Sequence, residues 1–359
     1  MSTAVNEPRP GGVSRRGLLR AGGILASAGL GSSLLAACTD KGNASPSTVS
    51  QSGSASGDTV SLTSVTKGRT IGLLSLDNSA AAVAVGLKYL DSMKDTLGWK
   101  THVIDIQGDP TNVPGGVQTF VSQKVDAIWA YALPGTALGT SFQAATAAKI
   151  PVVSLASGRF DGVTHLAEFD EWVSASRIAL YVVQRMNFEG ELAMLNFNGL
   201  TALQIRGAVM KAVLAQYPDV KLVEDLQVKV PGQTDDANAK TAAILGRHPN
   251  LKAVWCGWSD VALGANVAVK ASGRKNVFVT SIDGVPAELD AIRNGDPLAA
   301  TCCNDQALIM RIGATVTDTI LKGGKLGPST EQDSPFVDKH NVPGANQQPA
   351  GFVTPFWQG

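Results

Sequence analysis

The chain has 359 residues, and its 30 lysines and arginines balance 30 aspartates and glutamates, a formal charge of zero. That balance excludes a basic nucleic-acid-binding surface, and 44% apolar against 17% charged residues excludes a wholly disordered chain. Four cysteines, none in CxxC spacing, specify neither a zinc site nor a disulfide framework.

In chain order, Arg9, Arg15, Arg16 and Arg20 precede an apolar, small-residue stretch from Ala21 to Ala37 that stops at Cys38. The pattern is that of a processed export signal. Gly22, Gly23, Gly29 and Gly31 interrupt the run, which falls short of the roughly 20 strongly apolar residues that span a bilayer. Ser14-Arg15-Arg16-Gly17-Leu18-Leu19 resembles a twin-arginine signal; Sec export is the alternative, since its signals also carry paired arginines. Leu35-Ala36-Ala37-Cys38 is similar to the lipobox of bacterial lipoproteins, where small residues admit the peptidase and the thiol takes the lipid. Residues 1–37 are therefore read as the signal and Cys38 as the lipidated first mature residue. Residues 38–68, rich in Ser, Thr and Gly, form a flexible tether that buries no core. Removing the signal takes four of the 30 basic and one of the 30 acidic residues, leaving 26 and 29.

Beyond the tether, short β-branched runs alternate with segments of helical period, the pattern of parallel sheets covered by helices on both faces. Strands are expected at Thr70–Leu76, Thr101–Ile106, Ala127–Tyr131 and Pro151–Leu155, with helices at Ala81–Leu97, Gly116–Lys124 and Thr136–Ala148 between them. A helix at Glu171–Met186 restarts the alternation. Strands follow at Glu191–Asn196, Lys221–Val228, Ala253–Cys256 and Val277–Ile282, and helices at Thr201–Gln216, Asp235–Arg247 and Val261–Ala271. Two α/β halves in tandem predict two Rossmann-like lobes. The further strand Leu298–Cys302 and helix Gln306–Leu321 form no third unit, so the chain is expected to cross back to the first lobe. The tail from Gly327 carries Phe336, Phe352, Phe356 and Trp357 and is expected to pack down across the hinge or the second lobe. Cys256, Cys302 and Cys303 are either free thiols or hold one disulfide between Cys256 and one of the other two.

Four stretches together resemble the ribose-binding-protein family, the type I periplasmic sugar-binding proteins. They are Thr70-Ile71-Gly72-Leu73-Leu74, Lys149-Ile150-Pro151-Val152-Val153, Asp260-Val261-Ala262-Leu263-Gly264, and Ser281-Ile282-Asp283-Gly284 with Asn294-Gly295 and Leu298-Ala299-Ala300-Thr301 beyond. The resemblance implies two lobes joined by three crossings, a ligand held between them, and hinge closure around it. It places the first lobe at 69–169 plus 305–332 and the second at 170–304 plus 333–359. Sugar-responsive repressors share the fold but begin with a helix-turn-helix, where this chain has an export signal.

Ligands of open α/β sheets lie beyond the carboxyl ends of the strands. The resemblance puts Asp283 on the family's hydroxyl-binding aspartate, with an Asp-Gly turn as the alternative, and Asn304 on a polar hinge position. Tyr131 and Trp258 stand where the family places asparagines; each lines the cleft or belongs to a lobe surface or core. Ser75, Asp77 and Asn78 supply polar groups after the first strand, where Asp77 or Asn78 could instead cap a helix. The family's paired phenylalanines there are replaced by Ala80-Ala81-Ala82-Val83, and its Asp-Arg pair by Ala156-Ser157-Gly158-Arg159, with Arg159 read as an exposed loop residue. Gln204 occupies the family's ligand-arginine position while Arg206 is read as facing elsewhere. At the first crossing, Phe169 and Trp172 could wall the cleft, and Asp170 either accepts from the ligand or caps the following helix.

No GxSxG elbow, Walker A loop, HExxH or GxGxxG after the first strand is present, so no enzyme, cofactor or metal is implied. The combined reading is a monomeric extracytoplasmic binding lipoprotein of an ATP-binding-cassette sugar importer, held at the outer face of the bacterial cytoplasmic membrane by its lipid alone. Its partners would be a small neutral sugar or polyol and the permease subunits, with no nucleic acid. The alternatives are a ligand sensor for a signalling receptor and a binder of a less polar solute.

Overall fold

The computed structural model describes residues 62–135 and 138–352. The expected signal, the expected lipidation site Cys38 and nearly all of the expected tether lie outside them. Lobe one opens with β1 (Thr70–Ser75), α1 (Ala81–Leu97), β2 (Lys100–Asp105), α2 (Val113–Gln123), β3 (Ala127–Tyr131), α3 (Gln143–Ala147), β4 (Val152–Leu155) and β5 (His165–Phe169). Lobe two follows with α4 (Glu171–Arg185), β6 (Gly190–Asn196), α5 (Thr201–Leu214), β7 (Val220–Gln227), α6 (Gln233–Arg247), β8 (Leu251–Cys256), α7 (Ser259–Ser272), β9 (Phe278–Asp283), α8 (Pro286–Arg293) and β10 (Leu298–Cys303). The chain then returns to lobe one through α9 (Gln306–Leu321) and β11 (Ser329–Gln332), and ends in lobe two with β12 (Phe336–Asp338). Two six-stranded sheets result, ordered β11-β5-β4-β3-β1-β2 and β12-β10-β9-β8-β6-β7, parallel except for the antiparallel β10–β12 pair.

The strand sequences explain this order. Central strands β3 and β9 are buried at every position, as sheets covered on both faces require, whereas β2 and β7 are largely exposed or half-buried and stand at the edges. Side chains alternate across each sheet. On β1, Ile71 and Leu73 join α1 and α9 through Met93, Ile309 and Met310, while Leu74 packs with Phe120 of α2 on the other face. Each such apolar side chain contributes about 1.5–3 kcal/mol by leaving water. The return of α9 is fixed by Trp129, fully buried, whose Nε1 donates to Thr317 Oγ1 at 2.9 Å.

Five elements depart from the sequence reading, the short strands β11 and β12 among them. β5 is not among the expected strands: His165 and Glu168 interrupt its apolar run, yet His165 is buried, held by the Gly327 carbonyl and Thr330 Oγ1, both at 3.0 Å. The expected helix at 136–148 shrinks to α3, a turn preceding it around Gly139. α8, at whose start the Val285 N–H donates to Glu288 Oε2 at 3.0 Å, was not expected at all. Cys256, Cys302 and Cys303 are buried free thiols, so the alternative of a disulfide among them does not hold. The tail packs on lobe two: Phe352 enters its core, and Arg293 donates to the Pro343 carbonyl. Among the described residues no helix is long and apolar enough to cross a membrane.

Candidate functional site

The carboxyl ends of β3, β4, β8, β9 and β10 face one another across a cavity of about 90 Å³. The two lobes touch around it. Gly108 and Gly158, both with φ of +76°, admit lobe two at distances no side chain would allow: a Cβ would lie 2.9 Å from the Val230 carbonyl oxygen and 3.0 Å from Thr201 Oγ1.

Arg206 is the centre of the polar side. On α5 the buried stripe runs Leu203, Arg206, Gly207, Met210, Leu214, so helical period turns Arg206 inward. The guanidinium forks onto Glu171, with Nε to Oε2 at 2.5 Å and Nη2 to Oε1 at 2.8 Å. It also donates to Asp283 Oδ1 at 3.0 Å and to the Gly257 carbonyl at 2.9 Å. Burial alone would pull the Arg206 pKa down, but Glu171 and Asp283 more than offset this and hold it charged. Burial raises the pKa of Asp283, and Arg206 opposes the shift. Asp283 has φ of +127°, a strained conformation for a residue with a side chain, at the point where β9 ends beneath the cavity.

Asn304 ties this cluster to the crossings. Its Nδ2 donates to Asp283 Oδ1 at 3.0 Å, and its Oδ1 accepts from Ser334 Oγ at 2.5 Å. Tyr131, at the end of β3, points its hydroxyl at Gln306 Oε1 (2.8 Å) and the Ala82 carbonyl (3.2 Å); burial, then the charge of Asp283, keeps it protonated. Trp258 lines the wall, 8% exposed, with its ring centroid 6.4 Å from that of Phe197.

A second polar set lies on the line where the lobes meet. Gln233 Nε2, from lobe two, donates to Asp77 Oδ2 of lobe one at 3.1 Å. Gln233 Oε1 is buried with no partner. Asp260, from lobe two, caps a helix of lobe one: both carboxylate oxygens accept from Ala81 N at 3.1–3.2 Å, and α1 has no side-chain cap of its own. Burial pushes Asp260 up to about 6, the Ala81 N–H opposes this, and the charges of Asp283 and Asp77 add to it.

Of the residues singled out from sequence, Asp283, Asn304, Tyr131, Trp258, Asp77 and Phe169 line the cavity and Ser75, Asn78, Gln204, Asp170 and Trp172 do not. Ser75 is buried in β1 and donates to Asn78, whose backbone N–H bonds Asp105. Asp170 takes the capping role, accepting from Val173 N at 3.0 Å, and Trp172 is 61% exposed. The assignment of Gln204 over Arg206 is reversed: Gln204 lies off the buried stripe and donates to the Asn198 carbonyl, while Arg206 lines the cavity. Glu171, Gln233, Asp260 and Gln306 also line it and were missed. The spacing of Leu203, Gly207 and Met210 was the signal for Arg206. Gln233 lay hidden because α6 starts two residues before the expected position.

Comparison with known proteins agrees with this architecture. Residues 83–325 match the profile of a periplasmic binding protein domain. The ribose import binding protein of Salmonella typhimurium is 27% identical over 251 residues, 68% of this chain and 82% of that one. The xylitol-binding protein of Mycolicibacterium smegmatis is 25% identical over 230 residues, 63% of this chain and 65% of that one. The crystal structure of an Agrobacterium vitis ABC transporter solute-binding protein with bound allitol is 25% identical, has a TM-score of 0.72, and is matched over 77% of this chain and 97% of that one. The chain belongs to the periplasmic binding protein family, whose members bind transport substrates outside the cytoplasm and are not enzymes.

Proposed function

We propose that the chain is the substrate-binding lipoprotein of an ABC-type importer, capturing a small neutral sugar or polyol between its lobes and presenting the closed form to permease subunits. The observation that carries this reading is the buried Arg206–Asp283–Asn304 cluster at the base of the interlobe cavity. A guanidinium, a carboxylate and an amide side by side can donate to and accept from adjacent hydroxyls of one ligand. Charge disfavours an anionic ligand: Asp77, Glu171, Asp260 and Asp283 line the cavity against the single cation Arg206, so an anion entering it meets net repulsion. The named relatives, for ribose, xylitol and allitol, support the same class.

Closure follows from differential contact. A ligand bridging Asp283 of lobe two and Tyr131 of lobe one favours the conformation in which the Gln233–Asp77 and Asp260–Ala81 bonds also form. Cys38 would hold a monomer at the membrane as a leash, raising local concentration near the permease without touching affinity. Calorimetry with pentoses, pentitols, hexoses and hexitols tests the reading. Binding by at least one of them is expected; binding only of anionic or wholly apolar solutes would overturn it.

A further inference from the structure

The polar side of the cavity accounts for a minority of its wall. Of its 22 lining residues, 12 have hydrocarbon side chains with no polar atom to offer a hydroxyl. Leu76 and Ala80 of lobe one face the same space as Phe197, Leu200 and Val230 of lobe two. The last three pack against the cores of both lobes, so the apolar seam is continuous across the cleft.

Small side chains widen the cavity. Five of the lining residues are alanines, Ala80, Ala82, Ala132, Ala156 and Ala202. The nearby hydroxyl of Ser157 is spent within lobe one, accepting from Leu133 N at 2.8 Å and donating to the Ala130 carbonyl at 2.9 Å. At the lobe boundary Asp77 and Asp260 are engaged by Gln233, Ser79 and Ala81. A ligand hydroxyl placed at the apolar end would lose water and find only the buried Gln233 Oε1 open to it, unless it broke the bonds between the lobes.

On the basis of the proposed sugar-binding role, we infer that the ligand is amphiphilic. It is a neutral compound with adjacent hydroxyls for Arg206, Asp283, Asn304 and Gln306, and a deoxygenated or alkylated end that fills the space between Leu76, Ala80, Leu200 and Val230. A methyl replacing a hydroxymethyl there should strengthen binding by about tenfold.

Matched pairs test this on the intact mature protein: 5-deoxy-D-ribose with D-ribose, L-fucose with L-galactose, and L-rhamnose with L-mannose, each by calorimetry. The expected result is that the deoxy member of at least one pair binds about tenfold more tightly than its parent, with no pair reversed. A parent sugar that binds as tightly as its deoxy partner, in every pair that binds, overturns the amphiphile while leaving the sugar-binding reading intact. Binding by none of the six, nor by any pentitol or hexitol, overturns both. Val230→Thr keeps the side-chain shape and adds one hydroxyl to the apolar end, so it should shrink the deoxy preference several-fold. An unchanged preference in that variant, with its melting temperature preserved, would overturn the placement of the apolar end at this wall.

Discussion

Arg206→Met is the sharpest perturbation of the cavity floor. The arginine is 3% exposed and makes four charge-assisted hydrogen bonds, two to Glu171, one to Asp283 and one to the Gly257 carbonyl. Methionine fills much of the volume but leaves two carboxylates, 5% and 6% exposed, without their cation. Breaking a buried ion pair from one side costs about 3–5 kcal/mol, because the remaining charge stays desolvated. Equilibrium urea unfolding followed by tryptophan fluorescence should show that loss. Adding Glu171→Gln removes one orphaned charge, so the double variant should recover roughly 1–3 kcal/mol of it, a coupling expected of contacting residues. Sugar affinity should stay lost in both. A single-variant cost below about 1 kcal/mol, or strict additivity of the pair, would refute the view that Arg206 is the counter-ion holding this floor together.

Three further outcomes are expected. Gln233→Ala removes the bond to Asp77 and should weaken ligand binding by about 2- to 12-fold, the range of one hydrogen bond; equal affinities in calorimetry would remove Gln233 from the closure. Gly86→Ala places a Cβ 2.3 Å from the Tyr131 hydroxyl and 2.9 Å from Met310 Cε, so thermal unfolding should reveal roughly 1–3 kcal/mol of overpacking and calorimetry a weaker ligand, whereas a neutral variant would contradict the packing of Tyr131 on α1. Stability should also fall as pH rises. Burial pushes Glu288 from 4.5 up to about 7, and Asp260 from 3.8 up to about 6. Both acids hold their protons more tightly folded than unfolded, so their contribution is complete below about pH 4 and is lost as pH passes 6 to 7. The melting temperature at pH 5 should exceed that at pH 8 by a few degrees at constant ionic strength; a flat or opposite profile would refute it.

The fold was largely legible because its signals are local. α1 and β3 match their expected bounds to the residue, since unbroken apolar periodicity marks them and Gly98, with φ of +59°, ends the helix. The elements that escaped, β5, α8, β11 and β12, are short and polar. β11 and β12 are paired by strands distant in sequence, β11 with β5 and β12 with β10. The site was half legible for a related reason. Residues at strand ends, such as Asp283 and Tyr131, are located by topology alone. Gln233 and Asp260 project from the first turns of helices, where one or two residues of uncertainty in the helix start decide whether a side chain enters the cleft or leaves it.

The placement of the two polar sets makes different demands on a hinge. Glu171 begins α4 at the first crossing, Asn304 and Gln306 sit on the second, and Ser334 on the third, and Ser334 and Asn304 are bonded to each other. The Arg206 cluster therefore belongs to lobe two and its crossings, and rotation of lobe one about them leaves its hydrogen bonds intact. The Gln233–Asp77 and Asp260–Ala81 bonds instead join residues 156 and 179 positions apart, on opposite lobes, and would break in the proposed opening of the cleft. A ligand in the proposed closure thus meets a floor already assembled, with its ion pair desolvated in advance, and has only to favour the formation of a few contacts at the lobe boundary. That division explains how a cavity so poor in free polar atoms can still discriminate: orientation is set by the floor, and the fit of the remaining, apolar part of the ligand determines whether the boundary contacts can form.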